Sequence, residues 1–251
     1  MSANATPTLA TYAALQRAFD HFNVTLFEGH LPHCLITLRS SSRTYGYMHA
    51  RRFVSINGDN VDELGINPGY FAIQSIEEVM ATLVHEMVHH WQNHFGSPSK
   101  SVPHNRQWSE RMEAAGLMPS HTGLPGGRRT GRSMSDYILP DGAFLSSCRV
   151  LSDSGFRLPW LDSHVAAAPE RMAMRREELA ASGLAAVVSE PPLAQAKAVG
   201  QEIKLISPGI PDAPSRVRFI CPQCGIRAWA AAGTLLFCGS CETPLNEASA
   251  S

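Results

Sequence analysis

Residues 75–96 read SIEEVMATLVHEMVHHWQNHFG, and this stretch decides the fold. Ile76, Met80, Leu83, Val84, Met87 and Trp91 recur at three- and four-residue steps, which predicts an amphipathic helix. Ser75 followed three residues later by Glu78 is a capping box, in which each residue's side chain satisfies the other's backbone N–H. Gly96, Ser97 and Pro98 predict its end. His85-Glu86-Met87-Val88-His89 therefore lies mid-helix. Residues four apart share a helix face, so His85 and His89 can hold one Zn²⁺ from the same side. Glu86 then falls beside the water that such a metal activates and can take its proton. The bare H-E-x-x-H pattern also fits a helix with two surface histidines. The cap and the apolar neighbours favour the metal reading, since a dry surround strengthens the metal's field.

A catalytic zinc usually takes three protein ligands and keeps one open position. His94 lies about 180° around the helix from His85, and His90 about 100° from His89. Both are expected to be solvated or packing residues. His104 is the better third ligand. It follows a loop rich in turn formers (Gly96, Ser97, Pro98, Ser99, Pro103) and precedes a second helical stretch with Trp108, Met112 and Ala115 on one face. Gly116 is that helix's natural stop. Glu110 and Glu113 are the rival third ligands, because some zinc sites combine two histidines with a glutamate.

A second metal signature lies far downstream. Cys221-Pro222-Gln223-Cys224 and Cys238-Gly239-Ser240-Cys241 are two C-x-x-C knuckles. Four thiolates at this spacing suit a closed, structural tetrahedral Zn²⁺, and a zinc ribbon is expected. Two disulfides are the alternative, but nothing in the chain suggests an oxidising compartment. Ala228-Trp229-Ala230 and Leu235-Leu236-Phe237 read as short strands. Arg216, Arg218 and Arg227 surround the ribbon with positive charge, beside Phe219 and Trp229. Basic and aromatic residues together can bind nucleic acid. The two aromatics fit a small ribbon core equally well.

Lys and Arg total 21 against 22 Asp and Glu, a formal net charge of −1. No global basic field draws the chain to DNA, so any nucleic-acid contact must come from local patches. Met1 to Thr6 lack a basic start and an apolar run, so no leader is expected. No segment is long and apolar enough to span a membrane. With four cysteines assigned to zinc, Cys34 and Cys148 remain; Cys34 sits in an apolar strand pattern and is expected to be inert. These points predict a reducing, cytoplasmic setting.

Leu9, Tyr12, Leu15, Phe19 and Phe22 predict a helix over 8–24. Cys34 to Leu38, Thr44 to His49 and Phe53 to Ile56 read as strands. This order suits an α+β zincin-like domain over 8–150: a small sheet packed on helices, with H-E-x-x-H on the central helix and an edge strand above the site. An edge strand near zinc can pair with an extended peptide, which favours a peptide substrate. Residues 121–147 read as irregular. Within them Gly123 to Arg132 is glycine-rich and basic, but lacks the G-K-[ST] ending of a phosphate loop. Arg128, Arg129 and Arg132 there either contact DNA phosphates or belong to a solvated connector. Tyr137 is a candidate oxyanion stabiliser. Residues 151–214 read as a linker with a charged helix from Pro169 to Ser182, and 215–247 as the ribbon.

His85-Glu86-Met87-Val88-His89-His90-Trp91, Pro103-His104-Asn105-Arg106-Gln107-Trp108, Met112 and Gly116-Leu117-Met118-Pro119-Ser120 together resemble the SprT-like metalloproteases, the family that includes Spartan. Leu26-Phe27-Glu28-Gly29-His30-Leu31-Pro32 is similar to the family's entry into its first strand. The resemblance covers residues 10–145. It implies His104 as third zinc ligand, a C-terminal ribbon, and substrates that are proteins bound to or crosslinked on DNA, single-stranded DNA included. A zinc metalloendopeptidase with one catalytic and one structural zinc is the resulting expectation. Two rivals stay open: a nucleic-acid or protein adaptor with a weakly active or inactive zincin domain, and a zinc hydrolase acting on a non-protein amide.

Overall fold

A computed structural model of the chain describes residues 6–41, 44–184, 188–207 and 217–247. The chain divides into two compact units, residues 1–207 and 208–251. The first is mixed α/β. Helix α1 (Pro7–Phe27) buries Leu15, Phe19, Phe22 and Leu26 in the main core. Strands β1 (Leu35–Leu38), β2 (Gly46–Val54) and β3 (Asn60–Ile66) form a sheet in the order β1-β3-β2. The central strand β3 runs parallel to β1 and antiparallel to β2, which leaves β2 at an edge.

Strand β2 is continuous where the sequence predicts two strands. Its register shifts between His49 and Phe53, and Arg51 there takes a left-handed φ of 52°. A bulge of this kind bends a strand without ending it. Strand β3 has no counterpart in the sequence reading, because Asp62 and Glu63 interrupt its apolar pattern. Both carboxylates are nevertheless buried, and both are hydrogen-bonded. Glu63 Oε1 accepts from Tyr47 Oη at 2.7 Å and Thr37 Oγ1 at 2.8 Å. Asp62 Oδ1 accepts from the Arg51 N–H at 2.7 Å.

Helix α2 (Ile76–Phe95) carries both halves of the expected capping box: Glu78 N donates to Ser75 Oγ at 3.1 Å, and Ser75 N to Glu78 Oε2 at 2.8 Å. It ends at Gly96, as predicted. Met80, Leu83, Val84 and Met87 are fully buried along it. At about 1.5–3 kcal/mol for each large apolar side chain, this stripe anchors the helix in the core. Helix α3 (Arg106–Ala115) is capped by Asn105, whose Oδ1 accepts from the Trp108 N–H, and stops at Gly116 with φ 94°. That positive φ is a conformation glycine adopts without steric cost.

The stretch read as irregular contains regular structure. Within 121–147, β5 (Ser135–Ile138) pairs antiparallel with β4 (Leu117–Ser120), which precedes that stretch, and α4 (Ala143–Asp153) begins. The stretch read as a linker also differs. Its charged helix is present as α5 (Pro169–Ala181), α6 (Pro192–Ala198) comes after, and residues to 207 fall within the first unit. Met172 joins Val165, Ala167, Tyr70, Ala72 and Ile73 in a small second core. Arg176 Nη1 donates to Ile73 O at 3.2 Å. A few isolated apolar anchors dock this segment, too sparse in sequence to show a period. Pro208, Pro211 and Pro214 lie outside the described residues. No helix among the described residues is long and apolar enough to cross a membrane.

The second unit is built of short strands. β10 (Asn246–Glu247), β6 (Val217–Ile220) and β7 (Arg227–Ala230) form an antiparallel sheet in that order, and β8 (Phe237–Cys238) pairs with β9 (Thr243–Pro244). Phe219 is buried with Cys221 and Cys238, whereas Trp229 is 59% exposed. The small core is therefore Phe219, and Trp229 is a surface residue.

Candidate active site

Helix α2 presents His85 and His89 one turn apart, and the residue before the α3 cap presents His104. One ring nitrogen from each lies within 4.8 Å of the others, close enough to hold a single metal ion. His104 is not in the helix. A bridge to the glycine-rich loop fixes it, with His104 N donating to Gly131 O at 3.3 Å and Gly131 N to His104 O at 3.0 Å. Its Nδ1 also lies 3.3 Å from Gly131 O. A carbonyl only accepts, so Nδ1 carries the hydrogen and Nε2 is left with a lone pair. His85 is held in the same sense, its Nδ1 3.5 Å from Asp136 Oδ1 on β5. A ring nitrogen tied to a carboxylate or carbonyl is the usual support of a metal-binding histidine.

The electrostatics agree with this donor set. Burial, aided by the neighbouring histidines, pushes His89 down to about 2 and His104 down to about 4. Both rings are thus neutral and keep a lone pair. Burial opposes charge on His85 as well, but Asp136 and Glu86 together hold its pKa above the usual value. Burial lifts the Glu86 carboxyl to about 7, with His85 opposing the rise. Trp108 forms the floor: fully buried, its ring centroid is 4.9, 5.2 and 4.6 Å from those of His85, His89 and His104. Two neutral imidazoles, and a third steadied by the Asp136 carboxylate, make a donor set that fits a divalent metal ion.

A cleft of about 940 Å³ opens over this cluster. The edge strand β2 supplies Gly46, Tyr47 and Met48, with Tyr45 just before it, and β5 supplies Asp136 and Tyr137. Gly46 lets the strand lie directly on α2, since a Cβ there would stand 3.0 Å from Glu86 Cγ and 2.9 Å from Gly65 O. Helix α5 closes one end. Arg175 donates to Tyr45 Oη, Ser135 Oγ and Asp136 O, joining the residue that leads into the edge strand to β5.

The rival ligands point away. Glu110 pairs with Arg106 at 2.7 Å and Glu113 with Arg129, all four side chains being well exposed. His90 and His94 face the sheet; His90 is 1% exposed, a buried polar residue rather than a solvated one. Arg128, Arg129 and Arg132 are exposed, with Arg132 at the cleft and Arg129 engaged by Glu113. Arg218 and Arg227 are exposed in the second unit, and Arg216 lies outside the described residues. In that unit Cys221, Cys224, Cys238 and Cys241 bring their sulfurs within 4.8 Å of one another, which is compatible with a zinc ribbon. Backbone N–H groups of Cys224 and Gln223 draw Cys221 down to about 6.

Sequence reasoning misses Asp136, the Gly131 carbonyl and Gly46. Each acts through a tertiary contact, and no local pattern marks it.

The SprT-like family model matches residues 15–128, a span that holds H-E-x-x-H, His104 and most of the loop carrying Gly131. A relative described as an uncharacterized protein in the mucB 3' region of Salmonella typhimurium is 54% identical over 59 residues, which are 23% of this chain and 80% of the relative. No solved structure matches. By the family match over its α2 and α3 segments and by the identity to this relative, the chain belongs to the SprT-like family.

Proposed function

We propose that the chain is a zinc-dependent endopeptidase with a zincin-like catalytic domain. The observation that carries this reading is a buried Glu86 beside a three-histidine cluster, beneath a sheet edge that is unpaired among the described residues. His85, His89 and His104 would hold the catalytic Zn²⁺. When bound, the metal supplies a Lewis acid that acidifies water and polarises a carbonyl. The protein supplies the rest. Strand β2 offers main-chain groups to an extended peptide, and it lines the cleft over the histidine cluster. Glu86, lifted toward neutrality by burial, takes the proton of the attacking water and returns it to the leaving amine. Tyr137, on β5 in the cleft lining, is the candidate donor to the developing oxyanion.

We further propose that the substrates are DNA-associated proteins. Exposed Arg132 at the cleft, exposed Arg128 in the same loop, and exposed Arg218, Arg227 and Trp229 in the cysteine-rich unit would supply charge and a stacking surface for single-stranded DNA. The four cysteines would hold a second, structural Zn²⁺.

Glu86→Gln tests the chemistry. Zinc content should be unchanged, and cleavage of a DNA-binding protein substrate should fall at least about 100-fold, the usual contribution of a general base. Near-normal turnover in the variant would remove Glu86 from this role. Adding single-stranded DNA to the same assay tests the substrate class. Stimulation by DNA that weakens as salt rises is expected, because phosphate contacts release counterions. Equal rates with and without DNA would leave a plain peptidase.

A further inference from the structure

A second cluster sits on the other face of α2. Asp62 Oδ2 is 2.9 Å from His90 Nδ1 and 2.9 Å from His94 Nε2. The three ligand atoms lie within 4.8 Å of one another, as do those of the H-E-x-x-H cluster. The pattern also matches: His90 and His94 are four apart on one helix, as are His85 and His89, and a third ligand arrives from another element.

The hydrogen-bond accounting at His90 calls for a cation. Its Nε2 lies 3.0 Å from Pro32 O, which accepts only, so the ring hydrogen belongs on Nε2. A neutral ring then turns the Nδ1 lone pair toward a carboxylate oxygen that is also an acceptor. His90 is 1% exposed and Asp62 4%, so water does not screen the two. Either a second proton or a metal ion must lie between these atoms.

The surroundings are those of a ligand set. The Arg51 N–H fixes Asp62 Oδ1 at 2.7 Å and leaves Oδ2 to face the histidines. Arg51 reaches that position with a left-handed φ of 52° at the bulge of β2, a conformation that costs a non-glycine residue energy. Pro32 O fixes the His90 tautomer, as an outer partner does for a ligating histidine. His94 is 36% exposed, which gives an ion a path in and room for water as a further ligand.

We infer that Asp62, His90 and His94 form an additional divalent-metal site, with Zn²⁺ the ion best suited to two imidazoles and one carboxylate. The borderline softness of the set disfavours Mg²⁺ and Ca²⁺. The site ties the second half of α2 to β3 and to the chain leaving α1. Its role is to brace the helix that carries His85 and His89, away from the cleft. It does not rest on the peptidase reading.

Metal counting on the full chain decides it. Zinc-loaded, dialysed wild-type protein should carry three Zn²⁺ per chain: one on the thiolates, one on the H-E-x-x-H cluster and one here. His94→Ala, at a partly exposed position, should carry two, as should Asp62→Asn. Release by a mercurial thiol reagent should be the same in wild type and His94→Ala, which places the loss outside the ribbon. His85→Ala should lose a different ion, and its effect should add to that of His94→Ala. Two ions in the wild type with no change in His94→Ala would overturn the site and leave a buried imidazolium–carboxylate pair. Loss of thiol-bound zinc in His94→Ala would overturn it as well.

Discussion

Asp136 Oδ1 on β5 stands 3.5 Å from His85 Nδ1 on α2, so a short hairpin strand aims one of the three site histidines. Asp136→Asn keeps the shape but removes the charge. The variant should bind catalytic zinc roughly 10- to 100-fold more weakly, the usual effect of losing an outer partner of a metal ligand. Competition against a chromophoric chelator measures this directly. Unchanged affinity would mean that His85 is held by packing alone.

The site's centre was legible because it is local. Ser75 to Gly96 contains its own cap, apolar period, histidine spacing and stop, and helix physics needs nothing else. The helix after His104 was legible for the same reason. Strand β3 was hidden because Asp62 and Glu63 are buried in it, and their partners Arg51, His90, Tyr47 and Thr37 come from elsewhere in the chain. The role of the glycine-rich loop was hidden too: its arginines drew attention as charge, while the Gly131 carbonyl holds His104. The segment around α5 reads as a linker by composition, yet Met172 and Arg175 dock it on the rest of the first unit. Composition reports average polarity, and docking depends on a few well-placed side chains.

Gly46→Ala should lower catalytic efficiency by about tenfold or more with zinc content unchanged. The added Cβ would lie 2.9 Å from Gly65 O and 3.0 Å from Glu86 Cγ, so either the edge strand lifts or the glutamate moves. Overpacking of this kind costs about 1–3 kcal/mol. Steady-state kinetics beside metal analysis separates this effect from loss of the ion. Wild-type efficiency would show that the close approach of β2 to Glu86 is not used.

Trp108→Ala should destabilise the first unit by about 3–5 kcal/mol, the range for deleting a large buried aromatic. Trp108 is fully buried against all three histidine rings, so zinc affinity should fall with stability. Trp108→Phe keeps most of the floor and should lose much less of both. Urea unfolding with and without chelator tests the pair. Equal losses in the two variants would mean that the indole matters for something other than its bulk.

The six cysteines should fall into two chemical classes. Burial lifts the thiols of Cys34 and Cys148 to about 12, with Asp62 and Glu77 respectively adding to the rise. The thiolate is the reactive form, so both should be silent toward an aromatic disulfide reagent at neutral pH while the protein is folded. Cys221, Cys224, Cys238 and Cys241 should be silent for a different reason, because zinc masks them. Native zinc-loaded protein should therefore react slowly at every thiol. A strong chelator should expose four thiols without unfolding the first unit, and denaturant should expose all six. The far-UV spectrum should change little at the chelation step, since the helices lie in the first unit. Rapid modification of half-buried Cys34 or buried Cys148 in the native protein would contradict their raised thiol pKa. Four fast thiols before any chelator is added would mean that the cysteine cluster does not hold metal.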